Sequence, residues 1–346
     1  MKINNKDIGD DKPAYIIAEL SANHLGKLDI ALEMIKKANE IGADAVKIQT
    51  YTADTLTLNC STSHFQVKQG TIWDGRSLYD LYNEAATPWE WQPILKEYAD
   101  KLGITLFSSP FDKTAVDFLE ELNVPAYKIA SFEITDIPLI RYVASKGKPV
   151  IISTGIATLG DLEQAINTCH RVGNDQLALL KCTSEYPAPL EDVNLKTIPN
   201  LKQTFNTVVG ISDHTIGYVV PIAGVALGAK IIEKHFILDR KMGGPDALFS
   251  LEPDEFRDMI IAVRDTEKAL GNVSYELTDK IKRAREFSRS LFVSEDIRLG
   301  ETFTELNIKS VRPGYGLHPS FIKDIIGKKA RTDLSKGTPL SWDLID

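Results

Sequence analysis

The amino-acid sequence predicts a (β/α)8 TIM barrel, an α/β fold, followed by a small β-rich domain. Two observations carry the prediction: short apolar runs alternate with amphipathic segments, and this alternation stops after Leu270. Such alternation is typical of a parallel sheet with crossover helices, and eight units in about 270 residues match a closed barrel. An open doubly wound sheet is the alternative fold.

The predicted strands are short runs rich in β-branched residues. They span 14–20, 44–50, 104–110, 126–131, 149–155, 177–184, 208–214 and 230–236. Apolar residues at i, i+3, i+4 and i+7 predict helices between them, as in 30–41, 114–122, 159–169 and 255–270.

One step between strands is much longer than the others. The second predicted strand starts at residue 44 and the third at 104, and a polar, aromatic-rich segment lies between them at 60–82. In a barrel, an insertion at this point lies over the C-terminal face, where long loops shape the substrate mouth.

The predicted domain boundaries follow from where the alternation ends. The barrel occupies 1–270, a polar linker 271–287, and a β-rich domain 288–346, whose short strands are broken by Gly and Pro.

Composition excludes several classes of protein. The 346 residues are 43% hydrophobic and 25% charged, as in ordinary globular proteins. The net charge of −8, without a long basic run, argues against nucleic acid or a membrane as partner. Cys60, Cys169 and Cys182 form no C-x-x-C pair, and residues 1–13 lack the apolar stretch of a secretory signal. We therefore expect a cytoplasmic protein.

Polar residues crowd the ends of the predicted strands, where the active sites of such barrels lie. One such residue is as often structural as functional, but polar residues at all eight strand ends together predict an active site. The candidates are Glu19, Asn23, Lys47, Gln49, Ser109, Lys128, Ser131, Glu133, Ser153, Thr183, Ser184, Tyr186, Ser212, His214, Glu233 and His235.

Two lysines, Lys47 and Lys128, stand in otherwise apolar strands, where an ammonium group needs a partner. Nearby glutamates could pair both internally. Alternatively, the lysines and the surrounding serine hydroxyls bind a small phosphorylated acid. The motifs G-x-x-x-x-G-K-[ST], G-x-G-x-x-G and G-x-S-x-G are absent, which weakens ATP, NAD and an α/β-hydrolase triad as alternatives.

Two histidines, His214 and His235, end neighbouring strands, which lie about 4.8 Å apart in a sheet. Two nitrogens with open positions suit a divalent Lewis acid such as Mn²⁺ better than a closed zinc site. The alternative is that both histidines bond to neighbours or act in acid/base catalysis.

Ordered motifs along nearly the whole chain resemble the sialic acid synthase family, whose members condense phosphoenolpyruvate with an N-acetylated amino sugar. These motifs are AELSANHLG (18–26), VKIQT (46–50), FSSPFD (107–112), YKIAS (127–131), ISTG (152–155), CTSEYP (182–187), GISDHT (210–215), EKHF (233–236), GGPDA (243–247) and RPGYGL (312–317). Within the family, segments 73–91 and 131–140 resemble the pseudaminic acid synthase branch.

The resemblance implies roles for individual residues. Phosphoenolpyruvate would be held by Lys47, Lys128, Ser109, Ser131, Ser153 and Ser212. The sugar would be faced by Glu19, Gln49, Tyr186, Asp246 and Arg312. His214 and His235 would hold the metal, Mn²⁺ with Mg²⁺ or Co²⁺ as alternatives. Glu133 is the candidate for activating water, with Glu233 as a supporting residue or alternate base. Ser184 stands where relatives commonly carry Asn, so its contact with phosphate depends on a shorter donor.

The resemblance also implies an assembly and a reaction. The C-terminal domain would be an antifreeze-like (SAF) domain that brings Arg312 into the barrel of the partner in a domain-swapped homodimer. The expected acceptor is 2,4-diacetamido-2,4,6-trideoxy-L-altrose. The alternatives are a manno-configured sugar, as used by N-acetylneuraminate or legionaminate synthases, and a metal-dependent barrel aldolase. A non-enzymatic alternative is sugar or ice binding by the C-terminal domain alone.

Overall fold

The structure, a computed structural model, describes residues 1–68, 70 and 73–346. Gln69, Thr71 and Ile72, all in the predicted insertion, lie outside the described residues. The chain divides into two compact units, Met1–Gly271 and Asn272–Asp346. Among the described residues, no helix combines the length and the apolar character needed to cross a bilayer.

The first unit is a closed barrel of eight parallel strands, as the sequence predicts. Its strands are β3 (Tyr15–Glu19), β4 (Ala45–Thr50), β5 (Thr105–Pro110), β6 (Tyr127–Ile129), β7 (Val150–Ser153), β8 (Leu177–Cys182), β9 (Val208–Asp213) and β10 (Ile231–His235). They pair in chain order, and β10 closes the barrel against β3. Most strand residues are buried because helices cover the outside of a barrel and side chains fill its interior.

Helices follow the strands as the predicted crossovers. They are α1 (Leu28–Glu40), α4 (Gln92–Leu102), α5 (Lys113–Glu121), α6 (Ile137–Ala144), α7 (Leu159–Arg171), α8 (Thr197–Phe205), α9 (Val219–Ala226) and α10 (Pro253–Leu270). Several begin at a residue that caps their free N–H groups. Thr158 and Asp161 form a capping box at α7, and the Asp112 carboxylate accepts from Ala115 N at 2.8 Å at the start of α5.

The register of the strands places polar residues at the same level. His235 on β10 pairs with Glu19 on β3, and Glu19 pairs with Lys47 on β4. Two residues after Lys47 on β4, Gln49 pairs with Ser109 of β5. Paired residues in a sheet point to the same side, so these side chains converge at the C-terminal end of the barrel.

A short hairpin precedes the barrel, which the sequence did not predict. Strands β1 (Lys2–Ile3) and β2 (Lys6–Asp7) pair antiparallel. Ile3 and Ile8 are buried in the hydrophobic core of the barrel, and the Asn4 amide donates to Thr105 Oγ1 at 3.0 Å. Because Thr105 begins β5, the hairpin covers the N-terminal end of the barrel, opposite the polar strand ends.

The insertion lies between β4 and α4, where the strand spacing predicts it. Its described helices are α2 (Ala53–Leu56) and α3 (Leu78–Ala85), with short 3-10 turns at Ser63–Phe65 and Trp89–Trp91. Residues from both helices line the cavity at the C-terminal end of the barrel, so the insertion shapes the mouth of the site.

The second unit is built around one antiparallel pair, β11 (Ser290–Val293) and β12 (Ile308–Val311). It also contains α11 (Asp279–Ala284) and α12 (Ile322–Ile325). Its core is separate from that of the barrel and includes Leu291, Val293, Ile297, Phe303, Ile308, Ile325, Leu334, Leu340 and Ile345. Further strand contacts are isolated bridges, because Gly and Pro interrupt the short extended runs.

Candidate active site

A cavity of about 880 Å³ opens at the C-terminal ends of the barrel strands. All but three of the side chains predicted for the site line it: Glu19, Lys47, Gln49, Ser109, Lys128, Ser131, Glu133, Ser153, Ser184, Tyr186, Ser212, His214, Glu233, His235 and Asp246. Almost every strand end therefore contributes to a single cavity of a size that holds small ligands.

The floor of the cavity carries two buried lysines paired with two buried glutamates. Lys47 Nζ lies 2.6 Å from Glu19 Oε2 and 3.6 Å from Glu233 Oε1, and Lys128 Nζ lies 3.9 Å from Glu233 Oε1. The lysines are thus paired internally, as one of the two interpretations of the sequence expects. The same lysines also reach hydroxyls: Lys47 donates to Ser109 Oγ at 3.2 Å and Lys128 to Ser153 Oγ at 2.5 Å.

The two glutamates differ in how firmly they hold their negative charge. Burial raises the pKa of Glu19 despite the attraction of Lys47. Burial alone would also raise the pKa of Glu233, but the ammonium groups of Lys128 and Lys47 outweigh it and lower that pKa. Glu233 is therefore the firmly ionised partner of both lysines.

Serine hydroxyls meet beside these lysines around Gly155. The backbone N–H of Gly155 donates to Ser131 Oγ at 3.1 Å. A Cβ atom at Gly155 would lie 1.9 Å from Ser184 Oγ and 2.7 Å from Ser131 Oγ. Only glycine lets both hydroxyls approach the backbone this closely, and the result is a compact set of donors of the kind that surrounds a phosphate.

The two predicted metal ligands lie side by side, with ring centres 5.3 Å apart. His214 Nδ1 lies 2.9 Å from the carbonyl oxygen of Thr183, which can only accept, so in the neutral ring this nitrogen carries the hydrogen and Nε2 has the lone pair. His235 Nδ1 is buried without a hydrogen-bond partner, with Asp246 Oδ2 at 3.9 Å.

The surroundings shift the pKa values of these two histidines in opposite directions. Burial, reinforced by the positive charges of His214 and Lys47, holds the pKa of His235 well below its usual range. Burial alone would lower the pKa of His214, but the adjacent Cys182 raises it. A neutral imidazole with an unpaired nitrogen fits a metal ligand, and the residues present therefore suit a divalent ion. In the described part of the chain, no group of three His, Cys, Asp or Glu residues is arranged for a metal, so most positions on such an ion would be left to water and substrate.

Glu133 follows β6 in a 3-10 turn, Ser131–Glu133, and lines the same cavity. Its Oε2 atom is buried without a hydrogen-bond partner. Burial raises the pKa of Glu133 to about 7, against the opposing charge of Lys128. A carboxyl with such a pKa can both take up and release a proton near neutral pH.

Three predicted residues do not line the cavity. Asn23 is fully buried and donates to the carbonyl oxygen of Phe236 and to Ser250 Oγ, both at 2.8 Å, so it ties together the loops after β3 and β10. The Thr183 hydroxyl donates to the carbonyl oxygen of Asp192, and this residue serves the site through its own carbonyl group. Arg312 belongs to the second unit, where it is exposed.

Sequence reasoning assigned no role to other residues of the cavity, among them Ser21, Tyr51 and Cys182. Tyr51 could have been found, because it directly follows β4 and continues the alternation of Lys47 and Gln49. Ser21 has a positive φ of 42°, and its hydroxyl accepts from Gln49 Nε2 at 3.1 Å. That conformation aims the hydroxyl into the cavity, and periodicity does not reveal it.

The fold and the cavity together define a class of protein: a barrel enzyme whose strand ends combine two buried lysines and several serine hydroxyls with two histidines. Comparison with known proteins specifies the class further. The NeuB family model matches residues 34–275, and the SAF domain model matches 288–346. The chain belongs to the NeuB family and is a sugar synthase of the transferase type.

The relatives extend over the whole chain. Pseudaminic acid synthase from Campylobacter jejuni is 50% identical over 340 residues, 98% of each chain, and that from Helicobacter pylori is 48% identical over 336 residues, covering 97% of this chain and 98% of the relative. The N,N'-diacetyllegionaminic acid synthase of Legionella pneumophila is 39% identical over 351 residues, covering 100% of this chain and 98% of the relative. The crystal structure of N-acetylneuraminic acid synthetase from Leptospira borgpetersenii superposes with a TM-score of 0.74 at 32% identity, covering 82% of this chain and 94% of that one.

Proposed function

We propose that this enzyme condenses phosphoenolpyruvate with 2,4-diacetamido-2,4,6-trideoxy-L-altrose and releases phosphate, giving the nine-carbon sugar acid pseudaminic acid. The observation that carries the proposal is the convergence of Lys47, Lys128 and a set of serine hydroxyls beside two histidines in one cavity. The 50% identity to a pseudaminic acid synthase over nearly the whole chain supports this choice of acceptor.

Phosphoenolpyruvate would occupy the floor of the cavity. Lys47 and Lys128 supply point charges there, and the hydroxyls near them supply donors for phosphate and carboxylate oxygens: Ser109, Ser131, Ser153, Ser184 and Ser212. Ser184 approaches the same backbone position as Ser131, so its short side chain is already close to the other donors. The lysines would stabilise the phosphate charge throughout the reaction.

His214 and His235 would hold a divalent metal ion, for which we propose Mn²⁺, with Mg²⁺ or Co²⁺ as alternatives. The ion would supply a Lewis acid for the aldehyde oxygen of the open-chain sugar. The carbonyl group of Thr183 orients the His214 ring by accepting its Nδ1 hydrogen.

The reaction requires one carbon–carbon bond to form and one carbon–oxygen bond to break. Carbon 3 of phosphoenolpyruvate attacks the aldehyde carbon, whose oxygen takes up a proton and becomes a hydroxyl. Water adds at carbon 2, and phosphate leaves with the bridging oxygen as the added oxygen loses its second proton and becomes the keto group. Of the two protons of that water, one balances the new hydroxyl and the other leaves with hydrogen phosphate. Glu133 would accept the first proton of that water, and its pKa of about 7 and its buried Oε2 atom without a hydrogen-bond partner support this role. Glu233, already paired with both lysines, would act as a supporting residue or an alternate base.

The sugar would contact the polar side chains nearer the mouth, Glu19, Gln49, Tyr186 and Asp246. Arg312 would join them from the second unit of a partner chain in a domain-swapped homodimer. We propose that the enzyme works in the cytoplasm, where phosphoenolpyruvate is available.

The test is phosphate release by metal-stripped enzyme with and without added Mn²⁺. The three acceptors are the altrose sugar, its legionaminic-type 6-deoxy-mannose counterpart and N-acetylmannosamine. Release with the altrose sugar that depends on metal is the expected result. Preference for a manno-configured acceptor would make the enzyme a legionaminate or N-acetylneuraminate synthase, and no release with any sugar would favour a metal-dependent aldolase.

A further inference from the structure

One side of the cavity is apolar, and the proposed reaction itself does not use it. We name it the apolar wall and define it by Tyr51, Leu56, Leu78, Leu81, Tyr82 and Phe111. The insertion supplies four of these residues, on α2 and α3. Tyr51 packs edge-on against both neighbouring rings, with centres 5.1 Å from Phe111 and 6.0 Å from Tyr82.

Helix α3 presents its apolar stripe to this cavity. Leu78, Leu81, Tyr82 and Ala85 stand at i, i+3, i+4 and i+7, the spacing that normally faces a protein core. All four line the cavity, and none belongs to the hydrophobic core cluster of the barrel as described. The apolar stripe of α3 therefore borders the cavity, where a bound ligand can contact it.

The apolar wall stands close to the reacting groups. Tyr51 and Tyr82 line the same cavity as Glu133, His214 and His235. A sugar whose aldehyde end is held near His214 and His235 would therefore extend its distal carbons within reach of this wall.

We propose that the apolar wall selects acceptor sugars that carry methyl groups, with Leu81 and Tyr82 as the determining side chains. The inference rests on the proposed function and specifies which part of the site recognises the sugar. Two acetamido groups and carbon 6 give the proposed acceptor three methyl groups. A hydroxymethyl group at carbon 6 would lose its hydrogen bonds to water against leucine and aromatic carbon without replacement.

Two acceptors that differ by one oxygen atom test this inference. They are 2,4-diacetamido-2,4,6-trideoxy-L-altrose and the analogue with a hydroxyl at carbon 6, compared by kcat/KM for phosphate release at saturating phosphoenolpyruvate. We expect the unmodified enzyme to prefer the 6-deoxy sugar roughly 10- to 100-fold. Leu81→Asn, which changes polarity at similar volume, and Tyr82→Ala should each reduce that preference to about threefold or less, mainly through the 6-deoxy sugar.

Tyr79→Ala is the matched control. Tyr79 lies on the same helix but outside the cavity lining, with its hydroxyl 3.1 Å from Asp54, so this variant should keep the preference of the unmodified enzyme. A structural defect would lower kcat/KM for both sugars alike and leave their ratio unchanged.

The outcomes separate the two proposals. An unchanged preference in both Leu81→Asn and Tyr82→Ala, or no preference in the unmodified enzyme, would overturn the inference while phosphate release upheld the proposed function. Absence of phosphate release from the unmodified enzyme with either sugar would overturn the proposed function, and the inference with it.

Discussion

At the scale of single residues, the acid/base chemistry depends on how the protein surrounds each ionisable group. Glu133 is buried beside Lys128, and burial prevails, so its pKa is raised to about 7. Glu233 is also buried, but two lysines hold its pKa below the usual range. Two carboxyls in one cavity are thereby separated into a group that exchanges protons near neutral pH and a group that stays ionised.

The first prediction concerns Glu133. Since the base acts when deprotonated, kcat/KM should rise with pH with a midpoint near 7, the raised pKa of this carboxyl. Glu133→Gln should lower kcat by about 10²- to 10⁴-fold and remove that rise. Steady-state phosphate release across pH 5.5 to about 9 measures both. Full activity in the variant would show that Glu133 is not the base.

A second residue, His24, makes stability depend on pH. It is buried beside Trp91, its Nε2 lies 3.2 Å from Thr87 Oγ1, and burial lowers its pKa from 6.5 to about 4. The unfolded chain takes up a proton at this histidine below pH 6.5 while the folded chain does not, so stability is lost as pH falls from 6.5 towards 4.

The second prediction follows from that sign. His24 should account for a loss of a few kcal/mol across this interval, and His24→Gln should remove that part of the pH dependence. Urea unfolding of both proteins at several pH values measures the difference. An identical slope of unfolding free energy against pH in both proteins would contradict the assignment.

At the scale of elements, the strands and their loops hold the reactive groups in place. On β9 and β10, the buried Lys234 Nζ lies 2.6 Å from Asp213 Oδ2 and also bonds to the carbonyl oxygen of Thr215. Asp213 and Lys234 each precede one of the two predicted metal ligands, so this ion pair joins the two strand ends that carry His214 and His235.

The third prediction concerns this ion pair. Asp213→Leu alone should destabilise the barrel by about 3–5 kcal/mol, because it leaves a buried ammonium group without its partner. Adding Lys234→Met removes that charge and should restore most of the lost free energy of unfolding. Urea denaturation gives both values. Equal or greater instability in the double variant would mean that the pair itself, and not the unpaired charge, carries the energy.

The fourth prediction concerns the turn after β7. Gly155→Ala should raise the KM for phosphoenolpyruvate at least tenfold, since the added Cβ would displace the Ser131 and Ser184 hydroxyls. Gly160→Ala is the matched control, because a Cβ atom added at Gly160 would have Thr158 Oγ1 as its nearest neighbour, at 3.8 Å. Steady-state kinetics with phosphoenolpyruvate varied gives the result. An unchanged KM in Gly155→Ala would exclude these hydroxyls from the phosphate site.

Elements also show which features the sequence reveals. The eight barrel strands and most of the site could be predicted, because strand periodicity and the position of reactive groups at strand ends are both local patterns. The burial of Asn23 and the use of the Thr183 carbonyl could not, since loop backbone decides which atom reaches the cavity. The apolar stripe of α3 is also visible in the sequence, but periodicity does not say whether a protein core or a ligand covers it.

At the scale of the whole molecule, the barrel and the second unit each have their own hydrophobic core. The barrel supplies every group of the cavity described above, while the proposed function adds Arg312 from the second unit of a partner chain. The reaction as a whole would then depend on two chains, because one chain supplies the barrel and the other the arginine.

The fifth prediction tests that dependence. Arg312→Ala should raise the KM for the sugar by about 10- to 100-fold with kcat largely retained, because a guanidinium that binds substrate and transition state equally contributes uniform binding. Arg298→Ala, at another exposed arginine of the same unit, is the control. Kinetics with the sugar varied measures the change. Unchanged KM and kcat would argue against a swapped second unit.

One measurement tests the central claim, that this cavity joins phosphoenolpyruvate to an amino sugar with loss of phosphate. The enzyme is incubated with the altrose sugar, Mn²⁺ and phosphoenolpyruvate labelled with ¹⁸O in its bridging oxygen. The masses of both products are then measured by mass spectrometry. The account predicts an unlabelled nonulosonic acid and one ¹⁸O atom in each released phosphate. Label retained in the sugar acid, or phosphate released without any nine-carbon product, would contradict it.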